Sequence, residues 1–180
     1  MKKLLQAACL FSLCILLWGC PYESPYALDL EPQQPIDENL LGKWASMVKR
    51  PSYEGQTLEA PVKVIFETKS ETEYRVSITG YIHELNPFGV VEKDTIRGSA
   101  YLSLIDNRRF LNLIVHGRVY IAELQQTQNT ISLLALAEQF TSKFIRSCSE
   151  LRKTVSIHYR TRPVPVYDDW FLLKNMQKVN

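Results

Sequence analysis

The sequence predicts a mainly β protein, an antiparallel meander closing into a roughly eight-stranded barrel with one helix in its C-terminal half. Three observations predict it. From Leu40 onward, short runs rich in β-branched, aromatic and aliphatic residues follow one another with turn residues between them. Several of these runs alternate with period two, as a strand with one buried face must. A single later segment carries helical spacing and a helix start signal. Closing so many strands into a barrel removes the exposed edges that an open meander would leave.

The first run is Lys43 to Arg50, and the second, Val62 to Glu67, places Val62, Val64 and Phe66 on one face. Tyr74 to Ile82 alternates Tyr74, Val76, Ile78 and Ile82 with Arg75, Ser77 and Thr79. Asn86-Pro87-Phe88-Gly89 has turn chemistry, and Thr95 to Ile105 follows as the next strand. Asp106-Asn107 turns the chain into Phe110 to His116, and Gly117 turns it again into Arg118 to Leu124. Asn129 begins a run through Ile131, Leu133 and Ala135. Leu111, Leu113 and Val115 oppose Phe110 and Ile114, so this strand is apolar on both faces and something must cover the outer one. The helix is the expected cover. Ser147 and Glu150 form a capping box, Leu151 and Val155 share a stripe, and the end falls near Tyr159, before Pro163 and Pro165. A last strand, Asp169 to Lys174, returns to the sheet with Trp170 and Leu172 on one face.

Ahead of this domain lies a different kind of sequence. Lys2 and Lys3 precede an apolar run from Leu4 to Trp18, broken only by Gln6 and Ser12. A charged start and a hydrophobic stretch too short to span a bilayer are the pattern of a secretory signal peptide. The run ends in Leu17-Trp18-Gly19-Cys20, which resembles the lipobox of bacterial lipoproteins. That resemblance implies cleavage between Gly19 and Cys20, lipid on the Cys20 thiol, and attachment to a membrane of the cell envelope. Trp18 is bulkier than the residue usual at its position. The expected organisation is a signal peptide over 1–19, a lipidated Cys20 with a proline-rich tether over 20–39, and one barrel domain over 40–180. Pro21, Pro25, Pro32 and Pro35 give the tether its extended character; Tyr22 and Tyr26 are read as linker residues or as dipping into the membrane interface.

Cleavage removes Lys2 and Lys3 and no acidic residue, taking the 21 basic residues down to the number of acidic ones, 19. A mature chain with no surplus of positive charge lacks the electrostatic footprint of a nucleic-acid binder. Cys9 and Cys14 leave with the signal and Cys20 takes lipid, so Cys148 has no partner for an internal disulfide. It is read as a small buried residue in preference to a reactive thiol. The hydrophobic core must then stabilise the domain without cross-links.

Leu40-Leu41-Gly42-Lys43-Trp44 opens the first strand with Gly-x-Trp and looks like the first signature of the lipocalins and related calycins. In that family the glycine fits a tight entry and the tryptophan closes the barrel floor beneath a basic side chain from near the far end. Lys174 or Arg162 is the candidate for that role. The second lipocalin signature, Thr-Asp-Tyr, has no match: Tyr120 stands in a suitable strand without the preceding pair. The segment from Cys20 to Ser24, followed by Gly-x-Trp, also resembles lipoproteins of Bacteroidetes-type bacteria. Proline after Cys20 is compatible with an outer-membrane address, with the leaflet open.

Motifs for chemistry are sparse. His83, His116 and His158 lie on separate elements, without the close ligand spacing of metal sites. The sequence has no Gly-x-Ser-x-Gly elbow, phosphate-binding glycine loop or His-Glu-x-x-His. Asp168-Asp169 reads as a solvated strand entrance before it reads as a paired carboxylate site. Arg146, Arg152, Lys153, Arg160 and Arg162 read as a solvated helix face, or as a surface for lipid headgroups, polysaccharide or protein. No cofactor, metal or catalytic residue is expected. The expected function is a lipid-anchored, lipocalin-like module binding a small apolar ligand, lined by Val76, Ile78, Leu111, Leu113 and Ile131. Its rival is a non-catalytic subunit docked on an envelope protein complex.

Overall fold

The computed structural model describes residues 22–51, 57–80, 95–141, 143–162 and 167–179. Among the described residues there are nine strands, one α-helix and two short 3-10 helices, Glu38–Leu40 and Glu138–Phe140: β1 Glu23–Ser24, β2 Gly42–Pro51, β3 Thr57–Thr68, β4 Tyr74–Gly80, β5 Thr95–Ile105, β6 Arg108–Val115, β7 Arg118–Gln126, β8 Thr130–Leu136, α1 Cys148–Thr161 and β9 Tyr167–Val179. Each strand from β2 to β9 pairs antiparallel with the next, and β9 returns to β2 through Lys43↔Val179, Trp44↔Lys178 and Ala45↔Gln177. The expected eight-stranded closed barrel is therefore present, with one additional strand and one helix in the C-terminal half.

The tight turns follow from their residues. Asp106 and Asn107, with φ of 49° and 64°, join β5 to β6, and His116 and Gly117, at 50° and 79°, join β6 to β7. Two consecutive positive φ values match the twist of a two-residue hairpin, and Asp, Asn and Gly are the residues that adopt them most readily. α1 begins at the expected cap: Ser147 Oγ accepts from the Glu150 amide at 3.1 Å. The Glu150 carboxylate accepts from the amide of Arg146 at 2.9 Å, one residue earlier than in a standard capping box.

Two apolar cores share the wall of the barrel. Trp44, Val64, Phe66, Tyr74, Leu111 and Ile131 fill the interior. Outside, Phe110, Ile121 and Leu136 meet Leu151 and Val155 of α1. The doubly apolar β6 is explained: Leu111 points inward and Phe110 outward under the helix.

The helix is only part of that cover, and the tether needs correction. Several stretches between Tyr22 and Leu40 pack on the barrel. β8 pairs with β7 only between Ala122 and Gln126, leaving free the β7 edge at Val119 and Tyr120. β1 fills it, Glu23 opposite Tyr120 and Ser24 opposite Val119, while the Tyr22 amide donates to the Leu136 carbonyl at 2.8 Å. Leu28 is fully buried in the outer core. Its amide donates to Asn112 Oδ1 at 2.7 Å, and Asn112 Nδ2 donates to Ser103 Oγ at 2.8 Å. Ser103 in turn donates to the Asp29 carboxylate, which also accepts from Arg152 of α1. Proline content describes the conformation of this segment but not its fate: β1, the buried Leu28 and the Asp29 carboxylate fasten it to the wall.

Candidate functional site

Gly-x-Trp sits where the barrel closes. Gly42 has φ of 114°, and a Cβ there would stand 3.2 Å from Lys178 Cε. Trp44 is buried, its indole Nε1 donating to the Leu40 carbonyl at 2.8 Å. The basic group over it comes from neither Lys174 nor Arg162: Lys178 Nζ lies 5.3 Å from the Trp44 ring centroid. β9 runs on to Val179, past its expected end, which brings Lys178 into register with Trp44 and leaves Lys174 exposed earlier on the strand. Beside this floor, Arg109 Nη2 lies 2.8 Å from Asp37 Oδ2 and Nη1 donates to Gln126 at 2.8 Å. Burial raises the Asp37 pKa, but hydrogen bonds from Arg109 and the Asn39 amide, with the guanidinium charge, outweigh it and hold the carboxyl below its ordinary range.

Above the floor the inward positions Val62, Val64 and Phe66 on β3 and Tyr74, Val76 and Ile78 on β4 are apolar or aromatic, while β2 places Ser46, half-buried, opposite Val62. The five expected lining residues all face inward, but not equivalently. Val76, Ile78, Leu111 and Ile131 are at most 4% exposed and pack as core. Leu113 is half-buried although it lies in phase with Leu111 and Val115 and opposite Ala100 and Tyr120, all interior residues.

Ser46 and Gly98, opposite the interior Val62 and Val76, are also half-buried, and four further inward positions on neighbouring strands keep slight exposure. Ala122 is directly opposite Leu111 on one side and Ala135 on the other, while Leu124 is opposite Leu133, which pairs with Leu173. Ala122, Ala135, Leu133 and Leu173 retain 7% to 9% exposure, against 0% for Val64, Tyr74 and Ala100. Ala122 and Ala135 thus face each other with small side chains, in strands whose other inward residues include Leu111, Leu124, Ile131 and Leu133. Sequence reading missed Ala122, Ala135, Leu133 and Leu173. The available signal was alanine at an inward phase in strands whose other inward residues are large.

The outer wall carries a separate polar cluster. Glu123, almost fully buried, lies 2.9 Å from Arg108 Nη1 and accepts from the Tyr167 hydroxyl. Arg108 stacks 4.9 Å from the Tyr159 ring, and Tyr159 Oη is 3.4 Å from Tyr167 Oη. Burial, the mutual phenol contact and the neighbouring carboxylate push the Tyr159 pKa far above its ordinary value. This arrangement ties the end of α1 and the start of β9 to β7.

His158 is buried against Phe140 and Tyr159, and burial first, then the Arg162 charge, lowers its pKa. His116 is exposed in the β6–β7 turn, and His83 lies outside the described residues. Among the described residues no three His, Cys, Asp or Glu side chains are grouped to hold a metal ion. Cys148 is half-buried at the first position of α1, and Asp168 and Asp169 fall at the start of β9. Of the basic residues around α1, Arg152 pairs with Asp29 and Arg160 with Asp106, so part of that face serves the fold. Gly19 and Cys20 lie outside the described residues.

No protein-family model, curated protein or solved structure matches this chain.

Proposed function

We propose that this chain is a lipoprotein of the bacterial cell envelope, anchored through lipid on Cys20, whose lipocalin-like barrel binds a small apolar ligand. The observation that supports binding is the half-buried, inward Leu113 near the small inward side chains of Ala122 and Ala135, in an apolar barrel floored by Trp44. Such a wall offers area and shape but no charge, so it selects an aliphatic or aromatic body over a polar one. The Leu-Trp-Gly-Cys sequence supports the anchor, and the Trp44–Lys178 floor fits the lipocalin resemblance.

The reading is tested by titrating the protein with a fluorescent fatty-acid analogue. Saturable one-to-one binding that disappears in Ala122→Phe, with the fold retained by circular dichroism, supports it. Equal binding by both proteins places the probe elsewhere and rejects the inner wall. Replacing Cys20 by alanine tests the anchor separately, since the diacylglyceryl mass and membrane retention should both vanish.

A second reading, a non-catalytic subunit of an envelope complex, is favoured by the close packing of Val76, Ile78, Leu111 and Ile131. Small barrels can be filled by their own side chains.

A further inference from the structure

The fastening of Tyr22 to the barrel changes what a lipid on Cys20 would do. Tyr22 is hydrogen-bonded to Leu136 and its ring meets Phe140 edge-on with centroids 4.6 Å apart. Two residues of chain span at most about 7 Å between Cα atoms, so a Cys20 anchor would hold this corner of the barrel against the bilayer. The expected proline tether could have held the domain several tens of Å away. Four residues beyond Phe140 stands Phe144, 81% exposed, with Lys143 and Arg146 exposed beside it. An exposed aromatic ring between two cations suits a membrane interface, where rings settle at headgroup depth and Lys and Arg meet lipid phosphates. Leu30 is as exposed, but its neighbours Asp29 and Glu31 are acidic and would be repelled by an anionic surface.

We propose that Phe144, with Lys143 and Arg146, is a second membrane contact that seats the barrel on an anionic bilayer in one orientation. It rests on the reading that Cys20 carries lipid. Seating turns a flexible attachment into a fixed one, so the same face of the barrel always meets the headgroups.

The test uses the full lipidated chain in vesicles of phosphatidylethanolamine and phosphatidylglycerol with brominated acyl chains. Phe144→Trp adds an emitter at the proposed contact. Met47→Trp adds one at an exposed position on β2. The expected result is loss of most of the emission added at Phe144→Trp, with the emission added at Met47→Trp retained. Unquenched Phe144→Trp in protein whose intact mass includes the diacylglyceryl group overturns the proposal, as does equal quenching at both positions. A mass without lipid overturns the anchor reading itself, and the seating falls with it.

Discussion

The Lys178 ammonium lies 5.3 Å from the Trp44 ring centroid and donates to the Asn39 carbonyl at 3.1 Å, joining the last strand to the segment that precedes β2. Trp44 adds a bond of its own from Nε1 to Leu40. Two side-chain interactions of Lys178 thus reinforce the closure made by the β2–β9 ladder. Trp44→Phe, which leaves the buried Leu40 carbonyl without its donor, is expected to cost about 1–3 kcal/mol. Lys178→Ala should cost about 0.5–1 kcal/mol, the range of an exposed cation over an aromatic face. Lys174→Ala should be near neutral; urea unfolding of the three variants checks the order.

The N-terminal segment is structural. Leu28→Ala removes a fully buried side chain from the outer core and is expected to cost about 2–5 kcal/mol. A free tether would show no change in the unfolding midpoint.

The inner wall can be probed through its alanines. Ala100 is fully covered, so Ala100→Leu should overpack the interior and cost about 1–3 kcal/mol. Ala122→Leu places the same methylenes against uncovered surface and should cost clearly less. Thermal unfolding of the pair decides; equal losses would mean that the wall near Ala122 is as full as the rest.

Asp37 supplies a pH signature. Its carboxyl is held below the ordinary value, so its pairing with Arg109 stabilises the fold above the unfolded-state pKa. That contribution fades as pH falls through the lower folded-state value. Asp37→Asn is therefore expected to be less stable than the parent at pH 7. The difference should shrink on acidification below pH of about 4, where the unfolded carboxyl takes up its proton. Acid titrations of the unfolding free energy of both proteins check the convergence.

Most of the barrel was legible because its signals are local. β5 has the expected bounds, the Asp106-Asn107 and His116-Gly117 turns need residues that accept positive φ, and Ser147 caps α1 as its position implies. What escaped was non-local. β9 extends to Val179 because its partner on β2 continues, and no pattern within Lys174–Val179 announces that register. The docking of Leu28 depends on an Asn112 that reads in sequence as one polar residue in an apolar strand. The candidate site divided in the same way. Alternation placed Val76, Ile78, Leu111, Leu113 and Ile131 inside, but how fully each is covered depends on side chains across the barrel. Only Leu113 among them keeps substantial open surface.

The most direct measurement is native mass spectrometry of the protein released gently from the membranes of the cells that make it, parent beside Ala122→Phe. A small apolar molecule bound one-to-one to the parent and missing from the variant is the expected result. A parent carrying nothing beyond its own lipid, or a ligand retained unchanged by Ala122→Phe, would contradict a binding site on the inner wall.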